Sequence, residues 1–276
     1  MRDWVTHNPC PNAQSAGAPC SPQGIASPPA CTWGAAAAPG AQRCVTGTME
    51  SPWRSLEMGI RMQSPFPGAF FGFQRSPDFS TSARALLVLA VGQHNAALAV
   101  DGGHPGSGTE NWEMTQWQGL VASCVSFPEL RGCGALLALA LKELEALLVT
   151  GVYADGVETE MASGYDMGTA ADFFGTLRLL RLAGLPPPPP SFSSRVEQMW
   201  NYGAFVADAA GCLPRNGDSD LCGNGFSEEV ADYFGRGDWK FAKSNGAAGV
   251  PPALTNGSPS SVFPWAGQVV LRSGAS

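Results

Sequence analysis

The chain has 276 residues, 44% apolar and 14% charged, enough to bury one large core. Its formal net charge of −7 repels nucleic acid and anionic membrane at long range, so an acidic polymer could dock only where basic residues cluster. Eight cysteines without a C-x-x-C pair, and histidine only at His7, His94 and His104, argue against a metal centre and for a protein without a cofactor.

Residues 1–48 are rich in Pro, Ala, Ser and Gly without periodicity, as in SPPA and GAAAAPG, and are expected to stay disordered and outside the fold. The opening MRDWVTHNPCPN lacks the apolar stretch of a secretory signal peptide. The most apolar run, Ala85 to Val100, is interrupted by Gln93, His94 and Asn95 and is shorter than a membrane span, so the chain reads as soluble.

From Ser51 onward the pattern is helical. Helices are predicted over Ala83–Val100, over Asn111–Phe127 up to the break at Pro128, and over Gly134–Val149. In the last of these, Leu137, Leu141, Leu144 and Leu148 recur at three- and four-residue steps, and Gly151 supplies the stop. Met167–Ala183 follows, with Phe173, Phe174, Leu177 and Leu180 on one side. Pro186 to Pro190 then predict a stiff polyproline II spacer of roughly 15 Å. Phe192–Ala209 is amphipathic, Ser227 with Glu228 and Glu229 marks a capped start, and QVVLRS at 268–273 favours a strand. Serial helices without a βαβ rhythm predict an all-α array of antiparallel hairpins with a short C-terminal β fragment.

The signatures of P-loop nucleotide binding, serine hydrolases and zinc proteases are absent. Gly102–Gly108 reads as a loop. Arg236-Gly237-Asp238 matches an adhesion tripeptide too readily to carry weight. Cys212 and Cys222 could clip the loop between them, although two free thiols is the simpler reading.

Two stretches carry candidate chemistry. Asn111 and Trp112 fall in the first turn of a predicted helix, where unpaired backbone N–H groups and the helix dipole favour an anionic ligand. Asn111 as a plain cap and Trp112 as core is the competing reading. The segment DGVETEMASGYD (155–166) sets Tyr165 beside Glu158 and Glu160, either a catalytic group or a polar turn with one buried aromatic.

These stretches resemble motifs of the heparinase II/III polysaccharide lyases, in order over roughly residues 51–274. PWRSLEMGIRM (52–62) is similar to that family's Trp-x-x-x-Glu-x-Gly-x-Arg opening. ENWE with FPELRG resembles its Asn-Trp helix and Phe-Pro-Glu ending, and DGVETEMASGY its Asp-Gly, Glu and Tyr segment. LPRNGDSD (213–220) and FPWAGQVVLRSG (263–274) resemble the loop and first strand leading into its second domain.

The resemblance implies an incomplete α/α toroid over 49–255 and the start of a truncated β domain over 256–276, with an anionic polysaccharide as partner. It implies β-elimination: removal of the C5 proton of a uronic acid and expulsion of the oxygen on C4. Negative charge develops beside an existing carboxylate, so that carboxylate must be neutralised. Asn111 matches the neutralising asparagine and Tyr165 the tyrosine that takes or returns the proton. A free tyrosine titrates near pH 10, so positive charge must assist it. Arg61, Arg178 and Arg181 are candidates, with Arg61 favoured. Trp112 would stack on a sugar, while Glu160 and Asp220 would bind hydroxyls or hold the loops.

Two departures stand out. Asp166 follows the tyrosine where the family often carries histidine, and the chain stops at Ser276, before the family's His-containing β-domain motif. A glycosidase using Asp155 and Glu160, or a non-catalytic sugar-binding remnant, is the alternative.

Overall fold

The computed structural model describes residues 31–32, 42–43, 54–101, 110–208, 210–219, 227–244, 246–253 and 260–272. Gly102–Gly108, Asp220, Cys222 and most of residues 1–48 lie outside them. Two compact units divide the chain, Met1–Leu144 and Glu145–Ser276.

In the first unit, a two-residue strand β1 (Cys31–Thr32) pairs in parallel with β2 (Gln42–Arg43). Helices α1 (Ser55–Gln63), α2 (Pro65–Phe73), α3 (Thr81–Asp101) and α4 (Glu110–Ser126) follow, and α5 (Cys133–Thr150) begins here. Pro65 opens α2, where a missing N–H costs nothing. Phe70 packs edge-on against Phe79 and Phe127, centroids 6.1 and 5.1 Å apart.

Helices α1 and α4 approach at two glycines. A Cβ on Gly119 would stand 2.6 Å from the Gly59 oxygen, and one on Gly59 would stand 2.8 Å from the Thr115 oxygen. No side chain fits there, so the glycine of the opening motif is a packing requirement. Cys124 at the end of α4 is disulfide-bonded to Cys133 at the start of α5, nine residues on, with Cα atoms 5.0 Å apart. The bridge staples the connection and contributes about 2–3 kcal/mol by restricting the unfolded chain.

The buried stripe of α5 is Cys133, Leu136, Ala140, Leu144, Leu147 and Leu148. Leu137 and Leu141 are only half-buried, so the predicted face is rotated by about one residue. Small Ala140 can sit in the stripe because neighbouring leucines fill the volume.

In the second unit, α6 (Ser163–Leu182) and α7 (Pro190–Val206) form a hairpin, and Trp200 Nε1 donates to the Ala170 oxygen at 3.2 Å. Phe173, Phe174, Leu177 and Leu180 are all buried, as their spacing predicted. The helix starts four residues earlier than expected, which places Tyr165 in its first turn and not in a preceding loop. Pro189 has polyproline-like dihedrals of −53° and 149°, but Pro190 is already the first residue of α7. Proline suits that position because its N–H would be unpaired in any case.

Helices α8 (Glu228–Phe234) and α9 (Gly237–Lys243) close onto α7 through Arg236, which donates to Glu197 at 2.9 Å, Asn201 at 2.7 Å and Asp238 at 2.6 Å. The Arg-Gly-Asp tripeptide is thus an internal clamp. Strands β3 (Ser261–Phe263) and β4 (Gln268–Val270) pair antiparallel, with Val262 opposite Val269. Cys212 is disulfide-bonded, which corrects the free-thiol expectation at that position: sequence spacing does not say which cysteines the fold brings together.

Candidate functional site

Within the first unit, the polar residues of the opening motif form a connected series on α1. The Arg54 guanidinium hydrogen-bonds Glu57 one turn on and lies 4.9 Å from the centroid of the Trp112 ring. One face of Trp112 is therefore occupied, and a sugar would have to use the other. Desolvation would raise the Glu57 carboxyl, but the Arg54 hydrogen bonds, with Arg54 and Arg61 charge, hold it below the usual range.

Arg61 donates through Nε to His94 Nε2 at 3.0 Å, and His94 Nδ1 sits 2.7 Å from the Ala90 oxygen. Both contacts require a neutral imidazole with its proton on Nδ1. Burial and the adjacent arginine lower the pKa of His94 to about 3, while burial brings Arg61 to about 10, still a cation at neutral pH. Asn111 is the second residue of α4, 8% exposed, and Gln116, five residues on, ties α4 to α1 by donating to Ser55 Oγ at 3.0 Å.

Within the second unit, residues 151–160 make a tight hairpin with a bridge between Val152 and Glu158. Gly156 turns it at φ +92°, and a Cβ there would collide with the Gln198 carbonyl of α7. Met161 follows at φ +56°, a left-handed conformation that an L side chain adopts only when its surroundings enforce it. Asn216 provides the enforcement, donating through Nδ2 to the Met161 oxygen at 2.9 Å.

The first turn of α6 has no side-chain cap from its own N-cap residue, Ala162. Ser219 supplies one from 55 residues away, accepting the Gly164 N–H at 2.9 Å, and Ser163 donates to the Pro214 oxygen. The LPRNGDSD loop is thereby latched to the turn that carries Tyr165, whose side chain is 41% exposed.

The FPWAGQ segment joins the same structure. Asp155 Oδ2 accepts the N–H groups of Trp265 at 2.7 Å and Ala266 at 3.1 Å. Tyr202, fully buried, donates to Gln268 Oε1 at 3.0 Å and packs edge-on to Phe263 at 5.0 Å. Burial first, then the charge of Asp166, raises Tyr202 to about 12. Beneath the first turn of α6, Glu158 and Asp166 are both fully buried: Thr169 Oγ1 donates to Glu158 Oε1 at 3.2 Å, and Asp166 Oδ2 accepts the Glu158 N–H at 3.2 Å.

Sequence reasoning marked Tyr165 and the segments around it but missed Asn216, Ser219, Tyr202 and Gln268, which hold the arrangement. Asn216 and Ser219 lie in a polar loop whose composition was visible; Tyr202 lies on a helical face with no distinguishing signal. Asp155, named in the glycosidase alternative, has its Oδ2 engaged by the Trp265 and Ala266 N–H groups. Glu160 is half-buried. Arg178 pairs with Glu229 at 3.3 Å and Arg181 lies 5.4 Å from the Tyr233 ring centroid. They stand 13 and 16 residues along α6 from Tyr165, about 20 Å or more at helical rise, too far to assist its ionisation. Among the described residues no cluster of His, Cys, Asp and Glu is arranged to hold a metal, and no helix is long and apolar enough to cross a membrane.

The sequence profile described as Heparinase II/III N-terminus matches residues 1–234. None of the curated proteins compared with the chain matches it significantly. Among solved structures, "Crystal Structure of Heparinase III" aligns with a TM-score of 0.63 and 18% identity over 78% of this chain and 35% of its own. "Heparinase III-BT4657 gene product" aligns with a TM-score of 0.59 and 20% identity over 76% of this chain and 33% of its own. Heparan sulfate lyase HepC from Pedobacter heparinus gives 0.56 and 22% over 73% and 32%. The fold is shared, and the chain spans about a third of the length of these proteins.

Proposed function

This chain belongs to the heparinase II/III N-terminus family, and on that premise we propose that it is the helical part of a polysaccharide lyase acting on a uronic-acid polymer by β-elimination. The observation that carries the proposal is how segments distant in sequence hold the stretch that bears Tyr165: 213–219 bonds to Met161, Ser163 and Gly164 at the start of α6, and 263–268 is held by Asp155 of the preceding hairpin, while Tyr165 stays accessible. A turn without a task would not need a left-handed Met161 and a borrowed cap.

In this reading the Tyr165 hydroxyl takes the C5 proton or returns one to the leaving oxygen on C4. Asn111, in the first turn of α4, is assigned to the uronate carboxylate through its side-chain amide, at the positive end of the helix dipole. Neutralising that carboxylate lowers the barrier to charge developing beside it. Arg61, desolvated yet cationic, adds positive potential in the same unit. Trp112, half-buried, is assigned to stacking on a sugar ring, and Glu160 and Asp220 are assigned to hydroxyl binding. No cofactor enters the mechanism. A net charge of −7 and few basic residues favour a poorly sulfated polymer such as alginate.

The test is to incubate the chain with alginate, hyaluronan and heparan sulfate and to follow ultraviolet absorbance of the conjugated C4–C5 double bond. Absorbance that grows with wild type and not with Tyr165→Phe supports the lyase. New reducing ends without absorbance indicate hydrolysis, and sugar-dependent Trp112 fluorescence without turnover indicates a binding module; either overturns it.

A further inference from the structure

Asp166 directly follows Tyr165 and points the other way, into the interior. It is fully buried, and the groups acting on it are acidic: Glu158 and Asp155 on the hairpin, while its own charge acts on the Tyr202 phenol of α7. One of its oxygens accepts the Glu158 N–H. The other, Oδ1, meets no donor. An ionised oxygen there would be desolvated and uncompensated, a costly state that a proton on Oδ1 relieves.

We propose that Asp166 works as a neutral carboxylic acid, a positioning residue that clamps the 151–160 hairpin beneath the first turn of α6 and so fixes how Tyr165 is presented. With the proton on Asp166 the two buried carboxyl groups need not carry like charges, while its Oδ2 keeps the Glu158 backbone N–H. As a carboxylate it would set two like charges together in a dry site, and the hairpin and the first turn would part. Burial, then Glu158, raise its pKa well above the ordinary carboxylate range, in keeping with the geometry.

The sign follows by linkage. A carboxyl whose folded pKa lies above its unfolded value stabilises fully below the unfolded pKa, and that stability is lost as pH rises through the folded pKa. Asp166→Asn keeps the neutral form and its shape at every pH. The significance of the clamp rests on Tyr165 being the working residue, but its test needs no elimination activity, so failure of the clamp and failure of the lyase reading are distinguishable.

The experiment compares thermal midpoints of the whole 276-residue chain, wild type against Asp166→Asn, from acid to mildly alkaline pH, with nitration of Tyr165 measured by peptide mapping at each pH. The midpoints should match in acid, with the variant ahead by several degrees in alkali. Nitration of Tyr165 in wild type should outrun the variant over the same range. Glu158→Gln, whose amide can donate to an ionised Asp166, should flatten the profile likewise and serves if the first variant folds poorly. A midpoint difference from wild type that does not change with pH, or equal nitration throughout, overturns the proposal.

Discussion

Residues 1–144 bury a base beside a cation, His94 against Arg61, whereas residues 145–276 bury an acid beside a carboxylate, Asp166 against Glu158. Both sites exclude water, and both keep the buried group neutral, yet they oppose each other in pH. His94 resists protonation and so penalises the fold in acid; Asp166 resists ionisation and so penalises it in alkali. Desolvation alone sets neither direction; the chemistry of the group does. The units also differ in how they are held: helix against helix at two glycines in the first, side chain to backbone across long sequence gaps in the second.

The largest expected effect sharpens the first half of that contrast. His94 falls from an ordinary 6.5 to about 3 in the fold, so stability should be lost as pH drops from about 6.5 toward 3, by roughly 5 kcal/mol at the limit. His94→Gln, which can still accept from Arg61, should flatten that acid slope in urea titrations. An unchanged slope would assign acid sensitivity elsewhere.

Gly119→Val tests the helix-on-helix mode by forcing α1 and α4 apart at the cost of about 3 kcal/mol. Its chemical denaturation midpoint should fall well below that of wild type, and a midpoint within error would mean that the crossing is looser than the structure has it. Tyr165→Phe removes one exposed hydroxyl. It should cut elimination about 100-fold or more and leave the melting temperature unmoved, separating the presented residue from its supports.

Asp155→Ala probes the second unit's long-range latch. Losing two backbone N–H partners should cost about 1–2 kcal/mol, read by calorimetry with Trp265 fluorescence reporting the freed turn. Smallest of all, Arg178→Ala breaks a half-exposed pair with Glu229 and should change stability by less than about 0.5 kcal/mol and activity not at all. A large loss of activity would restore Arg178 as a contributor to Tyr165.

How far the sequence could be read depended on the kind of support. The longer helices, α3 to α7, were legible because amphipathic spacing and Gly/Pro punctuation are local signals, whereas the short α1, α2 and α9 were not assigned. Phe173, Phe174, Leu177 and Leu180 fell inside as their spacing required. The α5 stripe was displaced by one residue because several leucines competed for the interior and only packing chose among them. The motif Gly59 was visible as a glycine, but its reason, contact with Gly119 sixty residues away, was not. Tyr165 was identified, although its place on a helix was missed because the Ser219 cap lies outside any local window.

By itself the sequence determined the helical class, the order of the longer helices, the acidic balance and the candidates Asn111 and Tyr165, since propensity, periodicity and residue type are properties of short stretches. Tertiary structure alone decided that Arg61 meets a neutral His94, that Asp155 holds the Trp265–Ala266 turn, and that Asp166 is enclosed with Glu158 away from water. Charge state and partnership depend on what the folded chain excludes and brings near, and neither is written in the neighbouring residues.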